Sequence, residues 1–487
     1  MIRKSCLIAL MLCVLPGMAK ATEKPKSDEK VQWTAYDRTR LDAWQWFAAP
    51  GTTETYGYLE SLLRLGARQQ TRHWSWQAEL TQAAILDAPT TAVAPVLAEG
   101  QLGLGATYYA SNGNNAYPAA AFFKQGWLGY ASDKRRWSAR LGRFEFFEGQ
   151  EMQQSNSELA WLQTNRVAQR LIGNFGFSNA QRSVDGVEAH ADGHDWDVTA
   201  AAARVDQGVF NMNGNPELNV DFQYAALTRR EARGHLLWRT FAIGYHDGRT
   251  GILKTDNRPL PVRTVDHGNI RIGTYGGNVV AVIPAGSGTV DLMAWAAVQN
   301  GQWGAETHRG NGAAVEGGYH FGPGTKLPWM RGGWWRGSGD SNPNDTTHGT
   351  FFQILPTPRV YARLPFYNLM NSTDSFAQVM EKPVSKLALR ADVHWLQLTS
   401  AQDLWYLSGG AFDNKVFGYV GRPANGKSSF ATMADVSADW QATRSLALNF
   451  YYANAMGKSV IGSIYPTDKN MQFGYVELVY AWGGGKR

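Results

Sequence analysis

Cysteine and long apolar runs are both scarce in this chain. Its two cysteines, Cys6 and Cys13, fall inside residues 1–21, where a basic start and an apolar stretch lead to Ala-Lys-Ala. This arrangement predicts a secretory signal peptide that is cleaved near Ala21. The mature protein then has no disulfide or thiol chemistry. Because no later stretch approaches about 18 consecutive apolar residues, a helical membrane protein is excluded.

Excess charge and enzyme motifs are missing as well. The net charge is +6, and the expected signal peptide contributes three of these charges through Arg3, Lys4 and Lys20. A nearly balanced mature chain does not favour a nucleic-acid partner, which normally needs a concentrated basic face.

The motifs of common hydrolases, metalloproteases and nucleotide-binding enzymes are absent, and the nearest match, GFSNA at 176–180, lacks the final glycine of a nucleophile elbow. We therefore expect neither an enzyme nor a cofactor.

Aromatic residues, glycine and alternation are abundant instead. The 19 Trp and 52 Gly residues suit many strands joined by tight turns. Apolar and polar residues alternate with period two, the repeat of a β-strand. In residues 386–396, for example, Leu389 and Val393 share one face while Arg390 and Asp392 share the other. The clearest alternating segments are residues 73–81, 289–299, 386–396 and 445–452.

Full charges on the polar faces decide between two all-β architectures. A soluble sandwich buries its apolar face, whereas an outer-membrane barrel turns that face to lipid and encloses the polar one. Charged faces survive burial only where water solvates them, as in a barrel lumen. The sequence therefore predicts an all-β fold in which a closed antiparallel transmembrane β-barrel spans residues 51–487. A polar N-terminal segment, residues 22–50, would separate it from the signal peptide.

Two ordered blocks of sequence resemble a known family. The first is ARLGRFEFFEG (139–149) followed by QRLIGNFGFSNAQRSVDGVEA (169–189), and the second is PWMRGGWWRGSGDSNPNDTTHGTFFQILPTPRVYARLPFYNLMN (328–371). They resemble the alginate export family of bacterial outer-membrane channels. The matching elements are Gly142-Arg143, residues 169–173, Arg182, Asp185-Gly186-Val187, residues 338–340, Thr350-Phe351 and Leu355-Pro356-Thr357.

The resemblance implies a barrel of about 18 strands, within a range of roughly 16–20, with long outer loops and short periplasmic turns. It also implies a location in the bacterial outer membrane, in contact with its lipid, and a pore lined by arginines that passes a polyanionic polysaccharide. Periplasmic secretion partners remain open as candidates.

Arginine suits such a pore because it stays charged and its planar fork matches a carboxylate. We place Arg170 and Arg182 at a constriction, with Asp185 as an orienting partner. The alternative is that Arg182 and Asp185 only pair locally. Arg143 is assigned to the same constriction, although strict alternation along its strand would place it on the lipid face.

Further candidate pore residues lie in later strands. Arg390, Asp392 and His394 share a polar face and are expected to point into the lumen. Arg331 and Arg336 flank a Gly-Gly-Trp-Trp segment and would line the pore or lie at its rim.

Asp340, Asn342 and Asn344 have the spacing with which a calcium loop begins. Asp345 and Phe351, however, stand where such a loop has glycine and glutamate. A solvated loop is therefore the favoured interpretation, and no metal is predicted.

The function predicted from the sequence is passive export or diffusion of an anionic, alginate-like polysaccharide. A general or uptake porin for small acidic solutes is the alternative within the same architecture. A secreted glycan-binding β protein and an outer-membrane hydrolase are less favoured alternatives.

Overall fold

The computed structural model describes residues 28–92, 102–231, 234–322 and 328–483. The signal peptide and cleavage site expected within residues 1–21 lie outside the described residues. The strands are β1 (Asp28–Gln45), β2 (Thr55–Gln70), β3 (Trp74–Leu86), β4 (Ala119–Ala131), β5 (Trp137–Phe144), β6 (Val184–Asp192), β7 (Trp196–Asp206), β8 (Glu217–Glu231), β9 (Leu236–Asp247), β10 (Ile270–Ala285), β11 (Gly288–Trp303), β12 (Glu306–His320), β13 (Trp329–Gly337), β14 (Thr347–His348), β15 (Ser372–Val384), β16 (Leu387–Leu398), β17 (Leu404–Ser408), β18 (Tyr419–Pro423), β19 (Ser429–Gln441), β20 (Leu446–Gly457) and β21 (Asn470–Trp482). The helices are α1 (Leu104–Ser111), α2 (Ser157–Leu162), α3 (Leu260–Val265) and α4 (Ser459–Ile464), and a π-helical turn, Gln163–Val167, follows α2.

Eighteen of these strands form a closed antiparallel barrel, which confirms the predicted fold class. Closure comes from β1, which pairs with β2 on one side and with β21 on the other, from Ala35↔Trp482 to Gln45↔Gln472. The other three strands belong to connections: β14 adds to β12 in parallel, and β17 pairs with β18. Within the described residues the barrel wall starts with β1 at Asp28, so the boundary expected at residue 51 is wrong.

The apolar face of the strands points outward. In β16, Leu389 and Val393 are 38% and 37% exposed, whereas Asp392 and His394, on the other face, are 2% and 0% exposed. Apolar side chains outside and polar side chains inside are the reverse of a soluble protein. This arrangement is expected of strands that face hydrocarbon and enclose polar groups. Among the described residues, no helix has the length and apolar character needed to cross a bilayer.

The two ends of the barrel differ in the length of their connections. At one end, two-residue turns such as 286–287 and 385–386 join the strands; at the other, connections as long as 145–183 and 338–371 do so. Aromatic side chains ring the short-turn end: Trp74 packs on Tyr130 at 5.0 Å between ring centroids, and Tyr130 on Trp137 at 5.3 Å. Aromatic residues at this level are typical of the membrane–water interface, and short turns of the periplasmic side.

Three long connections fold into the lumen. Residues 145–183 and 338–371 meet through a parallel bridge between Ile172 and Leu355, and the hairpin of β17 and β18 packs beside them. The backbone of the 145–183 connection turns sharply at Phe175 and Gln181, which both have positive φ angles, 58° and 60°. The interior is thus filled by loops that pack against the barrel wall. The polar groups of any pore lie where these loops meet the wall.

Candidate pore and its charged lining

Residues 174–182 form a compact loop, and two arginines of β1 hold it against the inner face of the barrel wall. Arg38 donates hydrogen bonds to the carbonyl oxygens of Gly176 and Ser178 at 2.7 and 2.8 Å, and Arg40 donates to that of Phe177 at 2.9 Å. Asn179 extends the attachment by donating to backbone carbonyls of β2 and β3. These arginines satisfy carbonyls that the irregular backbone leaves without partners in a ladder.

Arg182 joins the three inward connections to one another. Its guanidinium donates to the carbonyl oxygens of Gly173 and Leu355 at 2.8 Å each and to that of Gly409 at 2.9 Å. Burial lowers the pKa of Arg182 to about 10, so it remains a cation at neutral pH. The alternative of a local pair between Arg182 and Asp185 is wrong, because backbone carbonyl oxygens accept the hydrogen bonds of Arg182 and Asp185 pairs with Arg143 instead.

Arg170 lies in a buried cluster in which three arginines share one carboxylate. Arg331 of β13 approaches Glu316 of β12 at 3.0 Å, and Arg166 and Arg170 approach it at 3.4 Å each. Asp291 of β11 adds a second carboxylate, 3.0 Å from Arg331. The cluster thus has three cations and two anions. The structure brings Arg170 and Arg331 together inside the barrel, but it encloses them instead of presenting them to an open lumen.

Arg143 and Asp185 lie on the outer face, at the long-loop end. Arg143 binds Asp185 through Nε at 2.9 Å and Nη2 at 2.6 Å, and Asp206 lies 3.0 Å from its Nε. Arg143 shares its face with Leu141, which is 66% exposed, so strict alternation holds and the assignment to the constriction is wrong. Arg336 also points outward near the end of its strand, where it donates to Asn311 at 3.4 Å.

Arg390, Asp392 and His394 point inward as predicted. Arg390 donates to Asp392 and to the carbonyl oxygen of Tyr361, which ties β16 to the 338–371 connection. His394 contacts Asp374 of β15 through Nδ1 at 3.0 Å. These side chains therefore belong to a polar cluster on the inner wall, and their contact with a substrate stays a prediction.

A family model described as Alginate export matches residues 61–457. The chain belongs to the alginate export family. No curated protein matches the sequence.

Several solved structures have a similar fold, and one of them is described as the outer membrane protein OpdK of Pseudomonas aeruginosa. Similar structures include OccK5 (OpdH) of Pseudomonas aeruginosa, with 9% identity, a TM-score of 0.52 and coverage of 93% of this chain and 98% of that one. OccAB2 of Acinetobacter baumannii has 8% identity and a TM-score of 0.57, with 93% and 98% coverage. OpdK of Pseudomonas aeruginosa, solved with vanillate, has 8% identity and a TM-score of 0.55, with 94% and 99% coverage. This member of the alginate export family is an outer-membrane channel and thus a transport protein.

The arginines that sequence reasoning missed lie around Tyr475 of β21. Arg40 and Arg359 place their guanidinium carbons 5.4 and 5.7 Å from the centroid of its ring, and Arg363 donates to its hydroxyl at 3.3 Å. Arg363 is also paired with Asp439. Arg40 is paired with carboxylates too, but no carboxylate of the described residues lies within 4.0 Å of Arg359. Burial lowers the pKa of Arg359, and the neighbouring cations lower it further although Tyr475 opposes them.

Only one feature of the sequence could have indicated these residues. Arg359 and Arg363 follow the Leu-Pro-Thr element within the second block that resembles the alginate export family. Their connection carries no alternation, so nothing in the pattern predicts that it enters the lumen.

Asp340, Asn342 and Asn344 form a chain of turns at the long-loop end. Asp340 accepts a hydrogen bond from the backbone N–H of Asn342 at 2.9 Å, and Asn342 accepts one from that of Asn344 at 3.2 Å. The side-chain oxygens thus satisfy the backbone of their own loop, which is a common role of Asp and Asn in turns. This arrangement matches the favoured interpretation of a loop.

Proposed function

We propose that this channel passes a carboxylate-bearing polysaccharide of the alginate type along the inner wall formed by β19, β20, β21 and β1. The observation that carries the proposal is Arg359. It is only partly buried, has no acidic partner among the described residues, and stands beside Arg40 and Arg363. A carboxylate next to Arg359 would form the ion pair that this guanidinium lacks.

Aromatic rings flank this arginine and favour a sugar that is both charged and partly apolar. The guanidinium carbon of Arg359 lies 4.7 Å from the ring centroid of Phe177, in the inward loop 174–182, and 5.7 Å from that of Tyr475, in strand β21 of the barrel wall. A uronate ring offers a carboxylate for the guanidinium and an apolar face for a ring. Conduction requires contacts of this kind to be individually weak, so that the polymer can leave each one.

The test is block of single-channel current in planar bilayers by uronate oligomers. The wild type should prefer anions and be blocked by the oligomers. Arg359→Ala should weaken the block about tenfold, since an ion-paired hydrogen bond contributes about 1.5 kcal/mol or more. Arg271→Ala is the matched control, because Arg271 is exposed on the outer face of β10 and should leave block unchanged. Cation preference, or equal block in both variants, would contradict the proposal.

A second candidate, a porin for small acidic solutes, is favoured by the packed interior. The long connections fill much of the barrel, and a structure of similar fold was solved with vanillate. This candidate predicts that monomeric aromatic acids carry current and compete with chloride, while uronate oligomers neither block nor enter. The two sets of solutes, compared in the same bilayer, separate the candidates.

A further inference from the structure

A compact set of potential metal ligands lies inside the barrel, apart from Arg359. Asp392 and His394 of β16 and Asp435 of β19 are 2%, 0% and 4% exposed, and one ligand atom from each lies within 4.8 Å of the others. Asp392 and Asp435 are direct cross-strand partners. Like charges in such positions repel each other, and burial makes the repulsion stronger, so this pair calls for a compensating cation.

The orientation of His394 fits metal binding. Its Nδ1 faces both carboxylate oxygens of Asp374 at 3.0 Å, and Tyr367 donates to the same carboxylate at 2.8 Å. A proton on Nδ1 leaves the lone pair of Nε2 free, and Nε2 has no hydrogen-bond partner in the described part of the chain. A carboxylate that orients a histidine from behind is the usual outer-shell arrangement around a bound metal.

The two aspartates keep free oxygen lone pairs. Oδ2 of Asp435 accepts no hydrogen bond of normal geometry from any described residue, although the hydroxyl of Tyr451 lies beside this carboxylate. Asp392 accepts from Gln378 at 2.7 Å and from Arg390, which leaves a second lone pair on each oxygen. The donor set is therefore two carboxylate oxygens and one imidazole nitrogen.

The charge of the cluster matches a divalent ion. Asp374, Asp392 and Asp435 contribute three negative charges and Arg390 one positive charge, which leaves −2 when His394 is neutral. A proton on His394 would offset only half of this. Carboxylates and imidazole together are ligands of zinc and similar transition metals, whereas calcium and magnesium prefer sites made of oxygen alone.

We propose that Asp392, His394 and Asp435 bind one Zn²⁺ ion inside the barrel wall, with water as the fourth ligand. Zinc–ligand distances are about 2.0–2.2 Å, so the three side chains need to close on the ion by an ångström or less. Because Arg390 bridges Asp392 and the carbonyl oxygen of Tyr361, the ion would also fasten the 338–371 connection to β16. The site is therefore a structural clamp next to the pore.

The test uses the full mature protein, stripped with a chelator and titrated with zinc chloride. We expect one zinc per chain by elemental analysis and a rise in the temperature at which the barrel loses its folded gel mobility. His394→Gln and Asp435→Asn should each abolish both effects. Asp439→Asn is the matched control, since Asp439 also points inward from β19 but pairs with Arg363.

Three results would overturn the proposal: no zinc bound by the wild type, equal zinc binding by all variants, or preferred binding of calcium or magnesium. The first measurement needs no variant, so the proposal stays testable even if a substitution prevents folding. Zinc binding and the thermal shift are both independent of ion selectivity, which is the measurement that tests the proposed transport function.

Discussion

Replacing Arg182 with methionine should release the connections that fill the barrel. Three hydrogen bonds from its guanidinium, at 2.8, 2.8 and 2.9 Å, hold carbonyls of three separate connections. Bonds from a charged group contribute ~1.5–3 kcal/mol each, which gives ~4–9 kcal/mol in total. Burying the cation costs several kcal/mol of this sum, so we expect a net loss of ~2–4 kcal/mol in the stability of the packed loops. The strand pairing that closes the barrel does not involve Arg182.

A loss of ~2 kcal/mol raises the population of released loops about 30-fold. Arg182→Met should therefore increase single-channel conductance and speed proteolysis within residues 338–371, with little change in the thermal unfolding of the barrel. Arg182→Lys is the control, because lysine keeps the charge but lacks the planar guanidinium and its set of N–H donors. It should therefore behave like the methionine variant. If Arg182→Met instead alters ion selectivity alone and Arg182→Lys restores it, Arg182 is a pore cation and the reasoning is refuted.

Three further predictions concern lipid exposure, buried charge and pH. Val315→Arg on the lipid face of β12 should lower the free energy of unfolding by ~2–4 kcal/mol in detergent–lipid refolding assays, whereas a lumen-facing Val315 would tolerate the change. Glu316→Gln, one residue on, should cost ~3–5 kcal/mol in the same assay because three arginines lose their shared carboxylate; a loss below ~1 kcal/mol would contradict the cluster. Asp403, just before β17, accepts hydrogen bonds from the backbone N–H of Asp340 and the hydroxyl of Thr350 in the 338–371 connection. Burial raises its pKa to about 6, above the unfolded value of ~3.9, so the packed loops bind an extra proton in that window and lose stability as pH rises through it. Asp403→Asn should remove this slope in protease protection between pH 4 and 7, and a slope that persists in the variant would count against this assignment.

Alternation predicted the strands, because period two survives wherever one face meets lipid, and the full charges on the polar faces then favoured a barrel over a sandwich. It failed for β1, whose outward face mixes Val31, Trp33 and Leu41 with polar residues and whose inward face carries Arg38 and Arg40. The pairing of β1 with β21 joins the two ends of the chain, and no local pattern encodes such a contact. Alternation also placed Arg143 correctly on the lipid face, and the constriction assignment that overrode it was wrong.

The partners of the inward arginines were beyond prediction from the sequence. Arg182 binds carbonyls as far away in sequence as Gly409, and Arg170 shares Glu316 with a residue of another strand. Such contacts depend on how the long connections fold into the lumen, and those connections have no periodicity. The family resemblance identified the segments that carry Arg182 and Arg359, but not that these two arginines have no carboxylate within 4.0 Å among the described residues.

The most direct test of the account is the reversal potential of the purified channel across a planar bilayer in a potassium chloride gradient. Arg359, in the connection that faces the inner wall, has no acidic partner among the described residues, so the wild type should be anion-selective and Arg359→Ala should move the reversal potential towards zero. A cation-selective wild type, or a reversal potential that Arg359→Ala leaves unchanged, would contradict the claim that arginines inside the barrel determine what passes.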